Sequence, residues 1–127
     1  MSKIMIVDDE QEIVNIIDVF LRKNGFEILK TLEGDKALDI LKAGTKVDLL
    51  IIDMRMPKIT GMEVLKEIGK AGIKLPVIIL SGSIGLQKDI DELIRLGYNE
   101  NDVMYKPIDL FEILAKVKQK LGNQADK

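Results

Sequence analysis

Two short segments of this chain are apolar almost without interruption, VDLLIID at residues 47–53 and LPVIIL at residues 75–80. A strand with one face in water alternates apolar and polar side chains, whereas a strand covered on both faces does not. Three further runs also have strand character: IMIV at 4–7, EILKT at 27–31 and VMY at 103–105. The last two runs are weaker, as expected for edge strands. Together the runs predict a five-stranded parallel sheet that is covered on both faces.

The segments between these runs have helical periodicity. Apolar residues recur there at intervals of three and four, and a glycine near the end of a segment favours a helix stop. In chain order the segments are Ile13 to Phe20 before Gly25, Ala37 to Leu41 before Gly44, Met62 to Ile68 before Gly72, Ile90 to Ile94 before Gly97, and Leu110 to Leu121. Right-handed crossovers place such helices on both faces of the sheet. We expect one doubly wound α/β domain over residues 1–122 and a short loose tail at 123–127.

Composition excludes several kinds of function. The chain has 127 residues, 46% of them hydrophobic, and 19 basic against 21 acidic residues give a net charge of −2. The basic residues are scattered, so a nucleic-acid surface is not expected. No apolar run approaches the roughly 18 residues of a membrane span, and no signal segment is evident. We expect a soluble, cytoplasmic protein that binds neither nucleic acid nor membrane.

Charged and hydroxyl side chains stand at the carboxyl ends of the predicted strands. In chain order they are Asp8 and Asp9, Asp53, Ser81 and Lys106, at the ends of the first, third, fourth and fifth strands. In a doubly wound sheet of strand order 2-1-3-4-5, a pocket opens at this edge where the chain order reverses. These side chains are therefore expected to converge on one pocket.

Each of these residues also has an ordinary structural explanation. The acids after the first strand could cap the first helix and interact with its dipole, which for an acid pair alone is the commoner case. Asp53 could open a turn before Pro57. Ser81 could cap the loop that follows it, and Lys106 could be a surface lysine. The functional interpretation depends on their combination.

The combination favours a cation and phosphoryl transfer. Three carboxylates at adjacent strand ends repel one another unless a cation lies between them. The chain has no Cys or His, so only oxygen ligands are available, and hydrated Mg²⁺ fits these better than Ca²⁺ or zinc. Lys106 adds a compact positive charge that can hold an anion. Asp53 stands alone on the central strand and is the expected nucleophile, whereas Asp8 and Asp9 are better placed to hold the metal.

At these residues the sequence resembles the receiver domain of two-component response regulators, the CheY-like family with a flavodoxin-like three-layer fold. VDDE resembles the acidic pair of the family, and LLIIDMRMPKITG resembles its phosphoacceptor segment. VIILSGS resembles the fourth strand with its hydroxyl, and YKPI resembles the Lys-Pro motif. The resemblance covers essentially the whole chain, and the four motifs occur in the order of the family on the expected elements, so together they are specific.

The resemblance implies that Asp53 accepts a phosphoryl group from a phosphohistidine. The donor is expected to be a histidine kinase or a histidine phosphotransfer protein. The resemblance also implies that Asp9, Asp53 and the backbone carbonyl of Arg55 bind Mg²⁺ directly, with Asp8 acting through a water. Such a domain is not an enzyme in the turnover sense, because it transfers and loses only its own phosphoryl group.

The resemblance further implies how the phosphoryl group acts. Its oxygens are expected to contact Ser81, Lys106 and the amide of Gly82, and the bond before Pro107 is expected to be cis. An added charge of about −1.5 to −2 draws these groups inward and shifts nearby loops. The shift favours a second conformation of the surface formed by the fourth helix, fifth strand and fifth helix, where a downstream target protein binds.

Two departures from the family pattern affect the switch. Val103 occupies the position of the usual switch aromatic, and Tyr105 lies on the same side of the strand, about 7 Å further toward the pocket. Tyr105 either takes over part of the coupling or simply lines the fourth helix. The second departure is GYNENDVMYKP at 97–107, two residues longer than the usual form, which alters the proposed partner surface. Arg55 and Ser83 flank the site and are expected to tune the lifetime of the phosphoryl group.

Two other functions compete with a phosphoacceptor. One is a receiver-like interaction module whose partner binding does not depend on phosphorylation. This alternative remains because Val103 replaces the usual switch aromatic. The other is an enzyme or cofactor binder on a similar sheet, such as a flavodoxin-like or dehalogenase-like protein. The second is disfavoured because no glycine-rich phosphate loop follows the first strand and the dehalogenase-like pair of aspartates is missing.

Overall fold

A computed structural model describes residues 1–82 and 87–125, and one parallel sheet runs through its centre. Its strands are β1 (Lys3–Val7), β2 (Glu27–Thr31), β3 (Leu49–Asp53), β4 (Val77–Ser81) and β5 (Val103–Tyr105). They pair in the order β2-β1-β3-β4-β5, with all neighbours parallel. The predicted fold, strand order and edge strands are therefore confirmed.

The helices follow the strands and lie on both faces of the sheet. They are α1 (Gln11–Lys23), α2 (Gly34–Lys42), α3 (Gly61–Lys70), α4 (Gln87–Arg95) and α5 (Leu110–Ala125). The predicted stops after α1 and α4 are confirmed, since Gly25 and Gly97 have φ angles of 93° and 99°. Only glycine adopts such angles without strain. The boundary predicted between residues 122 and 123 stays a prediction.

Alternation along the strands divides the core into two clusters. Ile51 and Ile78 point toward α1 and α5, whereas their neighbours Ile52 and Ile79 point toward α2, α3 and α4. Every residue of β3 is buried. This explains why the third run in the sequence is apolar without alternation, because each of its faces is covered by helices.

Two predicted strand starts were too early. The apolar run at 75–80 gives a strand only from Val77, because Pro76 has no N–H group to donate to a ladder. The run at 47–53 gives a strand from Leu49, while Val47 packs against the core as part of the preceding loop. Within the described residues, the helices are too short or too polar to span a bilayer.

Candidate functional site

The carboxyl ends of four adjacent strands bring the predicted site residues together. Asp53 is the last residue of β3, and Ser81 is the last residue of β4. The Met54 N–H donates to Leu80 O at 2.9 Å, and the Lys106 N–H donates to Ser81 O at 2.8 Å. Regular parallel pairing therefore continues just past the strand ends. It fixes the positions of the backbone groups from which these side chains project.

Lys106 lies at the centre of the acidic pocket. Its Nζ is 3.1 Å from Asp8 Oδ2 and 3.1 Å from Asp53 Oδ1. The same atom is 2.7 Å from Glu10 Oε1. A single ammonium thus neutralises part of the charge of three carboxylates that come from two different segments of the chain.

The acids of the pocket differ strongly in exposure. Asp8 and Asp53 are buried, whereas Asp9 is exposed. Asp8 Oδ1 accepts a hydrogen bond of 3.0 Å from the Glu10 N–H. Asp8 Oδ2 lies in ion-pair range of Lys106 but is not aligned for a hydrogen bond with it. Among the buried side-chain oxygens of the described residues, Asp8 Oδ2 is the one without a hydrogen bond. A buried carboxylate oxygen without a hydrogen bond has spare capacity for a cation.

Burial and mutual repulsion shift the titration of these groups. Burial, followed by the charge of Asp8, raises the pKa of Asp53 from 3.8 to about 6, against the opposing effect of Lys106. Burial also raises the pKa of Asp8. Burial alone would lower the pKa of Lys106, but its contacts with Glu10, Asp8 and Asp53 outweigh that effect and raise it. Lys106 therefore stays charged, while Asp53 is more basic than an ordinary aspartate.

The pocket fits a hard divalent cation. One carboxylate oxygen each from Asp8, Asp9 and Asp53 lies within 4.8 Å of the other two. The donors are all oxygens, and the exposed position of Asp9 leaves room for retained water, as Mg²⁺ prefers. The acidic pocket that the sequence predicts is therefore present, and it could bind a metal.

The start of α3 supports the loop that follows Asp53. Thr60 and Glu63 form a capping box, in which the Thr60 side chain accepts from the Glu63 N–H and the Thr60 N–H donates to Glu63. The next residue, Gly61, donates its N–H to Met54 O at 3.0 Å. A Cβ atom on Gly61 would lie 2.2 Å from Asp53 O, so only glycine allows this close packing.

Other predicted residues surround the pocket. Ser81 is half-buried and Gly82 is exposed directly after it. Arg55 is exposed, and its Nη2 lies 3.8 Å from Asp89 Oδ2 on α4. Ser83 lies outside the described residues. The peptide bond between Lys106 and Pro107 is cis, as the resemblance implied.

The longer segment at 97–107, which was expected to alter the partner surface, has a defined structure. It contains a 3₁₀ turn, Glu100–Asp102, which begins at a second capping box on Asn99. Two lysines of α5 hold the turn, since Lys116 Nζ donates to Asn101 O at 2.7 Å and Lys120 pairs with Asp102. The turn was not predicted from the sequence, although Asn99 followed three residues later by an acid is a recognisable capping signal.

Val103 and Tyr105 occupy the edge strand beside this turn. Val103 packs against the core cluster beneath α2, α3 and α4, while Met104 packs against the opposite cluster. Residues 103–105 form a strand, in which side chains alternate, so the prediction that Tyr105 shares the side of Val103 still stands. Tyr105 also lines a surface groove of about 670 Å³ between β5 and α5.

Sequence reasoning missed Glu10 as a contact of Lys106. The two residues are 96 positions apart, so no local pattern in the sequence connects them. The available signal was only that Glu10 follows the acid pair at the start of a helix. A capping role was one of the alternatives for these acids, but Glu10 makes no side-chain cap hydrogen bond.

A doubly wound sheet with this acidic pocket and lysine at its switch point is the architecture of CheY-like domains. Residues 4–118 match the response regulator receiver domain, and the chain belongs to that family. It is therefore a receiver domain of two-component signalling.

Relatives and solved structures agree with this assignment. The chain is 35% identical over 122 residues to the response regulator GtcR of Aneurinibacillus migulanus, covering 95% of this chain and 48% of that protein. It is 32% identical over 118 residues to the alkaline phosphatase synthesis transcriptional regulatory protein PhoP of Bacillus subtilis, covering 92% of this chain and 47% of that protein. The chain thus spans about half the length of these relatives. The receiver domain of the Francisella response regulator 1452 superposes with a TM-score of 0.86 at 27% identity, covering 98% of this chain and 99% of that one.

Proposed function

We propose that the domain accepts a phosphoryl group on Asp53 from a phosphohistidine of a histidine kinase or histidine phosphotransfer protein. The carboxylate oxygen of Asp53 attacks phosphorus, and the P–N bond breaks. The imidazole nitrogen leaves with the electron pair and takes up a proton, while Asp53 becomes an acyl phosphate. The observation that carries the proposal is the 3.1 Å contact of Asp53 Oδ1 with Lys106 Nζ at the centre of an acidic pocket. A strong nucleophile and a fixed cation are the parts that phosphoryl transfer requires.

The other pocket residues have supporting roles in this proposal. Lys106 neutralises the charge that develops on the phosphoryl oxygens. The Ser81 hydroxyl and the Gly82 amide stand at the end of the neighbouring strand and donate to the same oxygens. Because the reaction modifies the domain itself once per phosphoryl group, the domain acts as a signal carrier and not as a turnover enzyme.

Mg²⁺ is the metal that the pocket suits best. Asp8, Asp9, Asp53 and the backbone carbonyl of Arg55 would hold it. When bound, it supplies positive charge that neutralises the transferring phosphoryl group. The spare oxygen of Asp8 and the exposed carboxylate of Asp9 support this assignment.

The proposed output surface consists of α4, β5 and α5, where a downstream target protein binds. The groove between β5 and α5 lies on this surface and includes Tyr105 and Lys116. Tyr105 is the last residue of β5 and precedes Lys106, so a shift of Lys106 toward a phosphoryl group would be passed to Tyr105 through the backbone that they share. If Tyr105→Ala left phosphorylation-dependent target binding unchanged, this part of the proposal would be abandoned.

Intact mass spectrometry tests the proposed function. The protein is incubated with Mg²⁺ and a small phosphodonor such as acetyl phosphate. Wild type is expected to gain the mass of one phosphoryl group and Asp53→Ala none. Asp39→Asn, which changes an exposed acid on α2, is a matched control and retains the adduct. Absence of an adduct on wild type favours the alternative, an interaction module whose binding ignores phosphate, as Val103 in place of an aromatic residue suggests.

A further inference from the structure

The shortest ion pair of Lys106 is with Glu10, which is not one of the three aspartates that could hold a metal. Lys106 Nζ is 2.7 Å from Glu10 Oε1, compared with 3.1 Å from Asp8 and from Asp53. The Glu10 side chain is 57% exposed, whereas the Lys106 side chain is 16% exposed. Glu10 thus reaches the lysine from the solvent side, while the two aspartates contact it from within the protein.

The position of Glu10 in the fold leaves its side chain available for this contact. Glu10 occupies the N-cap position of α1 with extended backbone angles, φ −87° and ψ 99°. Ser, Thr, Asp and Asn are the usual residues there because their short side chains accept from the first helical N–H groups. Glu10 makes no such hydrogen bond, and its backbone N–H is held by Asp8. The Glu10 carboxylate can therefore contact Lys106, in the connection between β5 and α5, without losing a hydrogen bond to the start of α1.

From this contact we infer that Glu10 competes with the phosphoryl group for Lys106 and so limits phosphorylation of the domain. The inference rests on the proposed function of Asp53. An ammonium has three donors, and three carboxylates already surround Lys106. A phosphoryl group on Asp53 brings new anionic oxygens toward the same ammonium that Glu10 contacts, so the two groups compete for it. Among the three carboxylates Glu10 is the exposed one, whereas Asp8 and Asp53 are buried, so the Glu10 contact is the one released.

Rates of phosphorylation test this competition. Glu10→Gln keeps the size of the side chain but removes its charge. We expect acetyl phosphate to modify this variant about threefold faster than wild type, because a partly exposed ion pair contributes a free energy that corresponds to a rate change of this order. Glu12→Gln makes the same charge change on an exposed residue of α1, without an ion pair to Lys106 in the described structure, and is expected to react at the wild-type rate. Equal rates for Glu10→Gln and wild type overturn the inference.

A second comparison separates competition from general repulsion of the anionic donor. In a Lys106→Ala background, Glu10 has no lysine to hold, so adding Glu10→Gln is expected to leave the rate unchanged. If Glu10→Gln accelerates the reaction equally in both backgrounds, the effect is simple repulsion and the inference is wrong.

The contact itself is measured by NMR of the Lys106 side chain without any phosphodonor. We expect the Lys106 Cε signals to shift in Glu10→Gln and to stay in place in Glu12→Gln. No shift in Glu10→Gln overturns the inference even if Asp53 accepts phosphate. Absence of any adduct on wild type, with the Lys106 shift present, instead refutes the proposed function.

Discussion

The raised pKa of Asp53 means that its charge destabilises the folded domain near neutral pH. The pKa rises from 3.8 to about 6, so between these values the folded protein binds more protons than the unfolded chain. Stability therefore falls as pH rises through this window and stays lower above it. The Asp53 side chain is 6% exposed, so solvent screens this effect little. The site keeps a destabilising charge because that charge is the proposed nucleophile.

Asp53→Asn is expected to stabilise the metal-free domain in a pH-dependent way. Removing the charge should raise the free energy of unfolding by about 2–3 kcal/mol near pH 7.5, and the gain should shrink toward zero near pH 4. Urea unfolding followed by circular dichroism in a chelating buffer measures this difference. Asp39→Asn, whose carboxylate is exposed, is the control and should show no comparable gain. A gain for Asp53→Asn that is constant across this pH range would contradict the assignment.

At the scale of single elements, the start of α3 is set by a glycine that packs on the end of β3. In Gly61→Ala the new methyl group would meet Asp53 O at 2.2 Å, so the backbone at Asp53 has to move. We expect a loss of about 2–3 kcal/mol in unfolding free energy, as for an overpacked core. Thermal or urea unfolding measures this loss.

The same helix supplies the matched control. A Cβ on Gly69 would meet nothing within 4 Å, and the residue is exposed. Gly69→Ala should therefore be neutral or stabilise the domain by up to about 1 kcal/mol, because alanine favours a helix over glycine. Equal effects of the two substitutions would show that the contact with Asp53 O does not constrain position 61.

The 3₁₀ turn Glu100–Asp102 should depend on its lysine contacts with α5. Lys120 and Asp102 are 18% and 14% exposed, so removing the lysine leaves a largely buried carboxylate without its ion pair. We expect Lys120→Met to destabilise the domain by about 1 kcal/mol and to speed hydrogen exchange at the Asp102 amide, which donates to Asn99 O. Lys118→Met, on an exposed position of the same helix, should change neither property. Unchanged hydrogen exchange at Asp102 in Lys120→Met would show that the turn is stable without the lysine contact.

For the whole molecule, features that depend on residues close together in the chain could be predicted from the sequence, whereas side-chain contacts between distant residues could not. Buried strands and helix stops are local features, so the sheet order and the convergence of Asp8, Asp53 and Lys106 were predictable from pattern and topology. The contact of Glu10 with Lys106 joins residues 96 positions apart through side-chain geometry, which no periodicity encodes. The start of β4 was predicted too early because the apolar run continues back to Leu75, whereas Pro76 has no N–H group with which to extend the pairing of the strand.

The charge of the pocket also predicts how the whole domain responds to a divalent ion. The carboxylates of Asp8, Asp9 and Asp53 lie close together and two of them are buried, so a cation that binds them only in the folded state should stabilise it. At a Mg²⁺ concentration ten times the dissociation constant, the gain is about 1.4 kcal/mol, or roughly 5 °C in melting temperature. Asp9→Asn should gain clearly less, while its metal-free melting temperature should equal or exceed that of wild type because one repelling charge is gone. Thermal melts with Mg²⁺, compared with KCl of equal ionic strength, separate binding from screening. An equal rise with KCl, or an undiminished rise in Asp9→Asn, would show that the ion does not bind at this pocket.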